Sequence, residues 1–283
     1  MMEIARIADV IELRVWASGK PYTFSSIKEE LQSAMGDDEE DAPEDSAQLV
    51  MDEIQGRQML LNGAYPYDCD GYKVEFKTPQ AGTSTYVFCL GLSLLPADQI
   101  SNEQREVQFE TIAMSAAKAF FGGDELRIGA PWKTAEIKSY KDLLDKVTEL
   151  IPNLGPCSRE AAPEGGDCGW DVLIVKGFGD NNFPRLVILG NCATGRTDWM
   201  KKGMETAAAY FFESSFTSSH RSVIITFFAV PFILDDEMRM RKLYGQTITF
   251  DRFRICENSP ISPIDVKPWL ESMRTIALNI PLS

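Results

Sequence analysis

Two apolar runs, Trp170–Phe178 and Leu186–Gly190, flank the segment Gly179-Asp180-Asn181-Asn182-Phe183-Pro184, and this pairing constrains the fold more than any other stretch of the chain. Apolar segments of that length bounded by turn residues read as strands, and a loop of Gly, Asp, Asn and Pro closes them into a hairpin. Asp171 and Asn191 are each ten residues from Asn181, the natural centre of the turn. Antiparallel register therefore sets them opposite each other at one end of the hairpin.

The segments around this hairpin predict an α/β sandwich and not a regular βαβ repeat. Ahead of it, Ser101 or Asn102 caps a helix in which Phe109, Ile112, Ala113, Ala116 and Phe120 recur at helical spacing until Gly122-Gly123. A short strand over Glu125–Ile128 and a helix over about Ala135–Leu150 follow. Beyond the hairpin come a helix over about Asp198–Glu213 capped by Thr197, an apolar strand over Ser222–Val230, a helix near Glu237–Tyr244 and a strand near Thr247–Ile255. Residues 101–283 are taken as one domain. Residues 1–100 form an accessory module: helices over Glu3–Trp16, from a Thr23-Phe24-Ser25-Ser26 cap to Met35, and over Ser46–Leu61, then strands over Tyr72–Lys77 and Thr85–Leu94. Three helices followed by a hairpin fit a winged helix or a plain helical cap.

Composition narrows the function classes. The net charge of −14 argues against nonspecific affinity for nucleic acid, yet half of it lies in Asp37–Asp45, seven acids without a base, within a loop expected over 36–46. That run reads as a solvated loop, or else as a docking segment for a basic partner or a mimic of DNA charge. No apolar stretch is long enough to span a bilayer, and charges interrupt the apolar positions of the first sixteen residues, so the expectation is a soluble, cytoplasmic protein without a membrane partner. Six scattered cysteines without CxxC spacing favour free thiols over a disulfide framework or a zinc site. No glycine-rich phosphate loop lies between a strand and a helix.

Hydrolysis of a phosphodiester at neutral pH needs a metal ion held by converging carboxylates. Asp171 at the mouth of the hairpin and Glu110 beside the apolar stripe of the preceding helix are candidates from two different elements. The bland alternative makes each a solvated surface acid.

The segments Gly166-Asp167-Cys168-Gly169-Trp170-Asp171-Val172, Leu186–Gly195 and Asp198-Trp199 resemble a family of bacterial restriction-endonuclease-like proteins with a G-x-D strand, a strand ending G-Q-C-A-x-G, and then a tryptophan. Further echoes lie in Phe109-Glu110, Pro231-Phe232, Phe250–Arg254, Ala64–Tyr67 and Tyr86–Ser93, so the resemblance covers most of the chain. It implies the PD-(D/E)xK superfamily with its αβββαβ core, an association with defence against phage, and DNA cleavage dependent on Mg²⁺ (or Mn²⁺). It also implies that Glu110, Asp171 and Asn191 hold the ion. Two departures stand out: Asn191 replaces the usual acid or glutamine, and Ala193 stands where the superfamily has lysine. Lys202, three residues after Trp199, is the favoured replacement, with Lys201 and Arg196 as other candidates.

The leading expectation is a Mg²⁺-dependent endodeoxyribonuclease acting as effector of a defence system, with DNA, companion defence proteins and further copies of the chain as partners. The second is a degenerate nuclease-fold subunit that binds nucleic acid or a partner protein. A cysteine hydrolase built on Cys192 would need a base, and His220 is the only histidine. Arg196, Lys201, Arg252 and Arg254 are the candidate phosphate contacts; Arg239, Arg241 and Lys242 lie near the last two, and ion pairs to Asp235, Asp236, Glu237 and Asp251 are the competing use of that group.

Overall fold

A computed structural model describes residues 4–35, 42–61, 65–77, 82–95, 102–132, 137–157, 169–179, 185–195, 208–217, 223–235, 247–259 and 266–282. The chain divides into two units, one made of Met1–Pro96 with Pro260–Ser283 and the other of Ala97–Ser259.

The first unit opens with α1 (Ile4–Ser18), whose apolar residues Ile7, Val10, Ile11, Leu13 and Val15 are all buried. β1 (Tyr22–Thr23) leads into α2 (Phe24–Met35), and the Thr23 hydroxyl accepts from the Ser26 N–H at 3.2 Å, as its sequence position predicts. α3 spans Ala42–Leu60 and starts earlier than the expected Ser46, taking Glu44 and Asp45 of the acidic run into its first turn. Carboxylates are favourable there because the helix N-terminus carries partial positive charge. β2 (Tyr67–Cys69) and β3 (Lys73–Phe76) complete an antiparallel sheet of order β1-β3-β2.

The segment expected as a strand over Thr85–Leu94 is a helix, α4 (Thr83–Leu94). Its run of apolar and small residues is buried on nearly every side, and a fully buried helix has no polar face to betray its period. At the centre of the unit Arg57 donates to Asp9 and Glu12, both at 2.8 Å. Tyr65 and Tyr86 donate to the two oxygens of Glu12, at 2.5 and 2.8 Å. This buried network satisfies its charges internally, which is the condition for keeping them out of water.

The second unit is a mixed five-stranded sheet. It begins with α5 (Asn102–Phe121), closed by Gly122 at φ 71, and β4 (Asp124–Arg127). α6 covers Tyr140–Leu150 and is shorter than the expected 135–150; residues 133–136 lie outside the described residues. Its boundary is set by a reciprocal cap in which the Ser139 side chain accepts from the Asp142 N–H at 3.1 Å and Asp142 accepts from the Lys138 N–H at 3.0 Å. β5 (Val172–Lys176) and β6 (Leu186–Cys192) form the hairpin, and α7 (Ala208–Ser215), β7 (Val223–Ala229) and β8 (Thr247–Phe250) follow. The sheet order is β4-β5-β6-β7-β8, antiparallel up to β6 and parallel beyond it. The expected helix near 237–244 lies outside the described residues. The strand expected through Ile255 stops at Phe250, because Asp251 accepts from the Arg254 N–H at 3.1 Å and caps α8 (Arg252–Asn258).

Leu173 and Val175 of β5 and Val187 and Leu189 of β6 pack with Leu143, Leu144 and Val147 of α6 and Phe211 and Phe212 of α7. On the opposite face Phe121 of α5 meets Phe227 and Phe250, with ring centroids 6.4 and 6.1 Å apart. The sheet is therefore covered by helices on both sides. A Cβ on Gly190 would lie 2.1 Å from the Phe227 ring, so only glycine lets that ring lie across β6.

The last helix, α9 (Lys267–Ala277), belongs to the first unit and not to a domain running from 101 to 283. Its Trp269 ring lies 4.7 Å from Phe88 of α4. A Cβ on Gly91 of α4 would come within 2.0 Å of Met273 Sδ, so glycine permits the close approach that seats α9. Arg14 of α1 donates to the Ile280 carbonyl at 2.6 Å and Arg6 to that of Leu282 at 3.2 Å, joining the two ends of the unit.

Candidate active site

The β5–β6 ladder keeps the register read from the turn, with Val172 opposite Gly190 and Lys176 opposite Leu186. At Asp171 it breaks. Gly190, already paired with Val172, also accepts from the Asp171 N–H at 2.9 Å, so two consecutive residues face one. On the other side Ile128 and Gly129 both donate to the Asp171 carbonyl, at 2.8 and 3.0 Å. Both arrangements have the pattern of a β-bulge, which inserts a residue and re-aims its side chain.

The shift in side-chain parity follows directly. Trp170 and Leu173 belong to the same core cluster, beside α6 and α7, although an unbroken strand would send them to opposite faces. Asp171 is thereby turned toward the α5 face. There its carboxylate meets that of Glu110, which α5 buries among Phe109, Ile112 and Ala113. A Cβ placed on Gly129 would lie 3.0 Å from Glu110 Oε2 and 3.1 Å from Asp171 Oδ1, so the two oxygens are within about 6 Å of each other, the combined length of those contacts. The backbone N–H of Cys192 donates to Asp171 Oδ2 at 2.6 Å and fixes the orientation of the carboxylate.

Glu110 has a further neighbour that the sequence did not single out. Arg127 of β4 approaches its Oε2 through Nε at 3.3 Å, and both side chains are largely buried, 13% and 9% exposed. The guanidinium is held from behind by the Pro131 carbonyl at 2.8 Å and by the Gly129 carbonyl. Strand alternation was the available signal: Arg127 is separated by Leu126 from Glu125, and it faces Val172 in register. That alternation marks a strand edge and says nothing of what lies above it.

Asn191 is placed differently. It is buried on β6, and alternation from Leu189 carries it to the α6–α7 face, away from Glu110. Ala193, at the position of the missing lysine, is buried with Phe228, Val230, Phe232 and Leu234. Arg196, Lys201 and Lys202 lie outside the described residues, as does His220. Arg252 is fully buried and donates to the Pro231 carbonyl at 2.9 Å, which makes it an internal support of α8 and takes it off the surface. Arg254 is exposed and donates to the carbonyl and hydroxyl of Thr249 at 2.8 and 2.9 Å.

Two carboxylates about 6 Å apart or less, one oriented by a backbone N–H, suit a hard divalent cation that keeps some of its own water. Glu110 and Asp171 are the residues that would hold it. The described residues contain no group of three or more His, Cys, Asp or Glu able to hold a metal. They also contain no helix long and apolar enough to cross a membrane. No family model, curated protein or solved structure matches the chain.

Proposed function

We propose that the second unit is a divalent-cation-dependent nuclease that hydrolyses phosphodiester bonds of DNA, serving as the effector of a bacterial antiphage defence system. The convergence of Glu110 and Asp171 beside Gly129 carries this reading. The order of elements supports it: with α6 inserted between β4 and β5, the chain runs helix, three antiparallel strands, helix and a parallel strand through α5, β4, β5, β6, α7 and β7. With α6 set aside, this order is the one expected of the restriction-endonuclease-like core that the sequence motifs resemble.

Mg²⁺ or Mn²⁺ bound there would activate a water as nucleophile and neutralise charge on the phosphoryl oxygens. Asp171, held by the Cys192 N–H, presents one oxygen from a rigid bulge; Glu110 presents another from α5. Cleavage of DNA by the full chain in Mg²⁺ or Mn²⁺ is expected, with chelator, Asp171→Ala or Glu110→Ala each reducing it to background. Metal-dependent cleavage that survives both substitutions would place the chemistry elsewhere.

A second reading has its own observation. Ala193 in an apolar cluster and Asn191 on the opposite face leave β6 with neither an acid nor a lysine for this centre. A noncatalytic subunit that binds DNA or a companion protein through the same fold fits that erosion. Absence of cleavage with companion proteins supplied, together with retained complex formation, distinguishes it.

As far as β3 the accessory unit has the order helix, strand, helix, helix, strand, strand, as in a winged helix, to which α4 and α9 are added. Its α3, however, exposes Glu44, Asp45, Gln48 and Asp52, while its Arg57 is buried. Such a face opposes phosphate contact and favours a protein as the partner of this unit.

A further inference from the structure

We propose that Arg127 is the resident counter-ion of the Glu110–Asp171 pair and sets the affinity of this centre for a divalent cation. The inference rests on the reading of those carboxylates as metal ligands and adds what governs their occupancy.

Two acids within about 6 Å of each other, Glu110 buried and Asp171 partly so, repel one another unless a cation lies close. Ala193 stands at the position of the superfamily lysine, inside an apolar cluster. Arg127 supplies a positive charge from β4, with Nε 3.3 Å from Glu110 Oε2. Its guanidinium is pinned by the Gly129 and Pro131 carbonyls, so it does not follow Glu110 if that side chain turns toward a bound ion. A divalent cation must therefore share Glu110 with Arg127 or take it over. Either way, counting the described groups, Arg127 with the two carboxylates gives the ion a net charge of −1 where Glu110 and Asp171 alone would give −2. One unit charge some 5 Å from a dication, even under water-like screening, changes its affinity by about tenfold or more.

Calorimetric titration of the full chain with Mn²⁺, in the absence of DNA, tests this. Arg127→Gln is expected to bind at least about tenfold more tightly than the native chain, and Arg127→Lys, which keeps the charge, within about threefold of it. Asp171→Asn should abolish binding. Unchanged or weaker binding by Arg127→Gln, with Asp171→Asn still abolishing it, overturns the role of Arg127 and leaves the metal site standing. If the native chain shows no binding that Asp171→Asn removes, both readings fall together. Should Arg127→Gln fail to fold for want of its carbonyl contacts, the native chain carries the test. The Arg127 Nε–H resonance, identified by its absence from the Arg127→Lys spectrum, should move on addition of Mg²⁺ with the calorimetric midpoint for that ion; a resonance that stays put refutes the proposal.

Discussion

Gly129 lies where the two carboxylates approach each other, and both of its neighbours are held: Asp171 by the Cys192 N–H and Glu110 beside Arg127. A methyl group there, 3.0 and 3.1 Å from their oxygens, would force one of them to move by a few tenths of an ångström. Gly129→Ala is accordingly expected to weaken divalent-cation binding by about ten- to a hundredfold while the fold persists. Mn²⁺ titration beside a thermal melt checks it, and unaltered affinity would mean that the ion sits away from Gly129. Glu110 and Asp171 were legible in the sequence because a helical stripe and a strand start fix their positions. Arg127 was not, since its partner comes from a different element and no local pattern records that. The face of Asp171 was also hidden: counting along the hairpin assumes an unbroken period of two, and the bulge at 171 breaks it.

Helices and strands differ in how plainly they announce themselves. α6 does so through its cap, since Ser139 and Asp142 answer each other across the first turn. Ser139→Ala should cost about 1 kcal/mol in a denaturant melt. The Lys138 N–H and the Ser139 side chain hold the Asp142 carboxyl below its ordinary value of 3.8. A group depressed in the folded state contributes stability that is complete above the unfolded value and is lost as pH falls through the folded one. Stability should therefore decline below about pH 4, and Asp142→Asn should flatten that limb. An identical acid limb in the variant would show that the cap does not titrate with folding. α4 stayed hidden for the opposite reason, being surrounded by core on nearly every side, and its β-branched and aromatic residues imitate a strand. α8 was absorbed into the strand before it because Asp251 serves as a cap, a role that a single acidic residue signals weakly.

At the scale of the whole chain, the division into units was legible only at its first boundary, near residue 96. The second lies at 259–260, and what draws α9 back to α1 and α4 is a glycine at position 91 and the burial of Trp269 and Met273 against residues some 180 positions earlier. Long-range packing of that kind leaves no trace in local composition. It also has a temporal side. Synthesis runs from the first residue to the last, so residues 97–259 are made, and emerge from the ribosome, ahead of α9. Until then α1 and α4 await a partner, with Gly91 and Phe88 uncovered by Trp269. We expect protease resistance in stalled nascent chains to appear for the second unit first and for the first unit only once Leu282 has emerged. Early resistance of both would mean that α9 is dispensable to the unit it joins. On this schedule the second unit is complete while the first still lacks the helix that closes it.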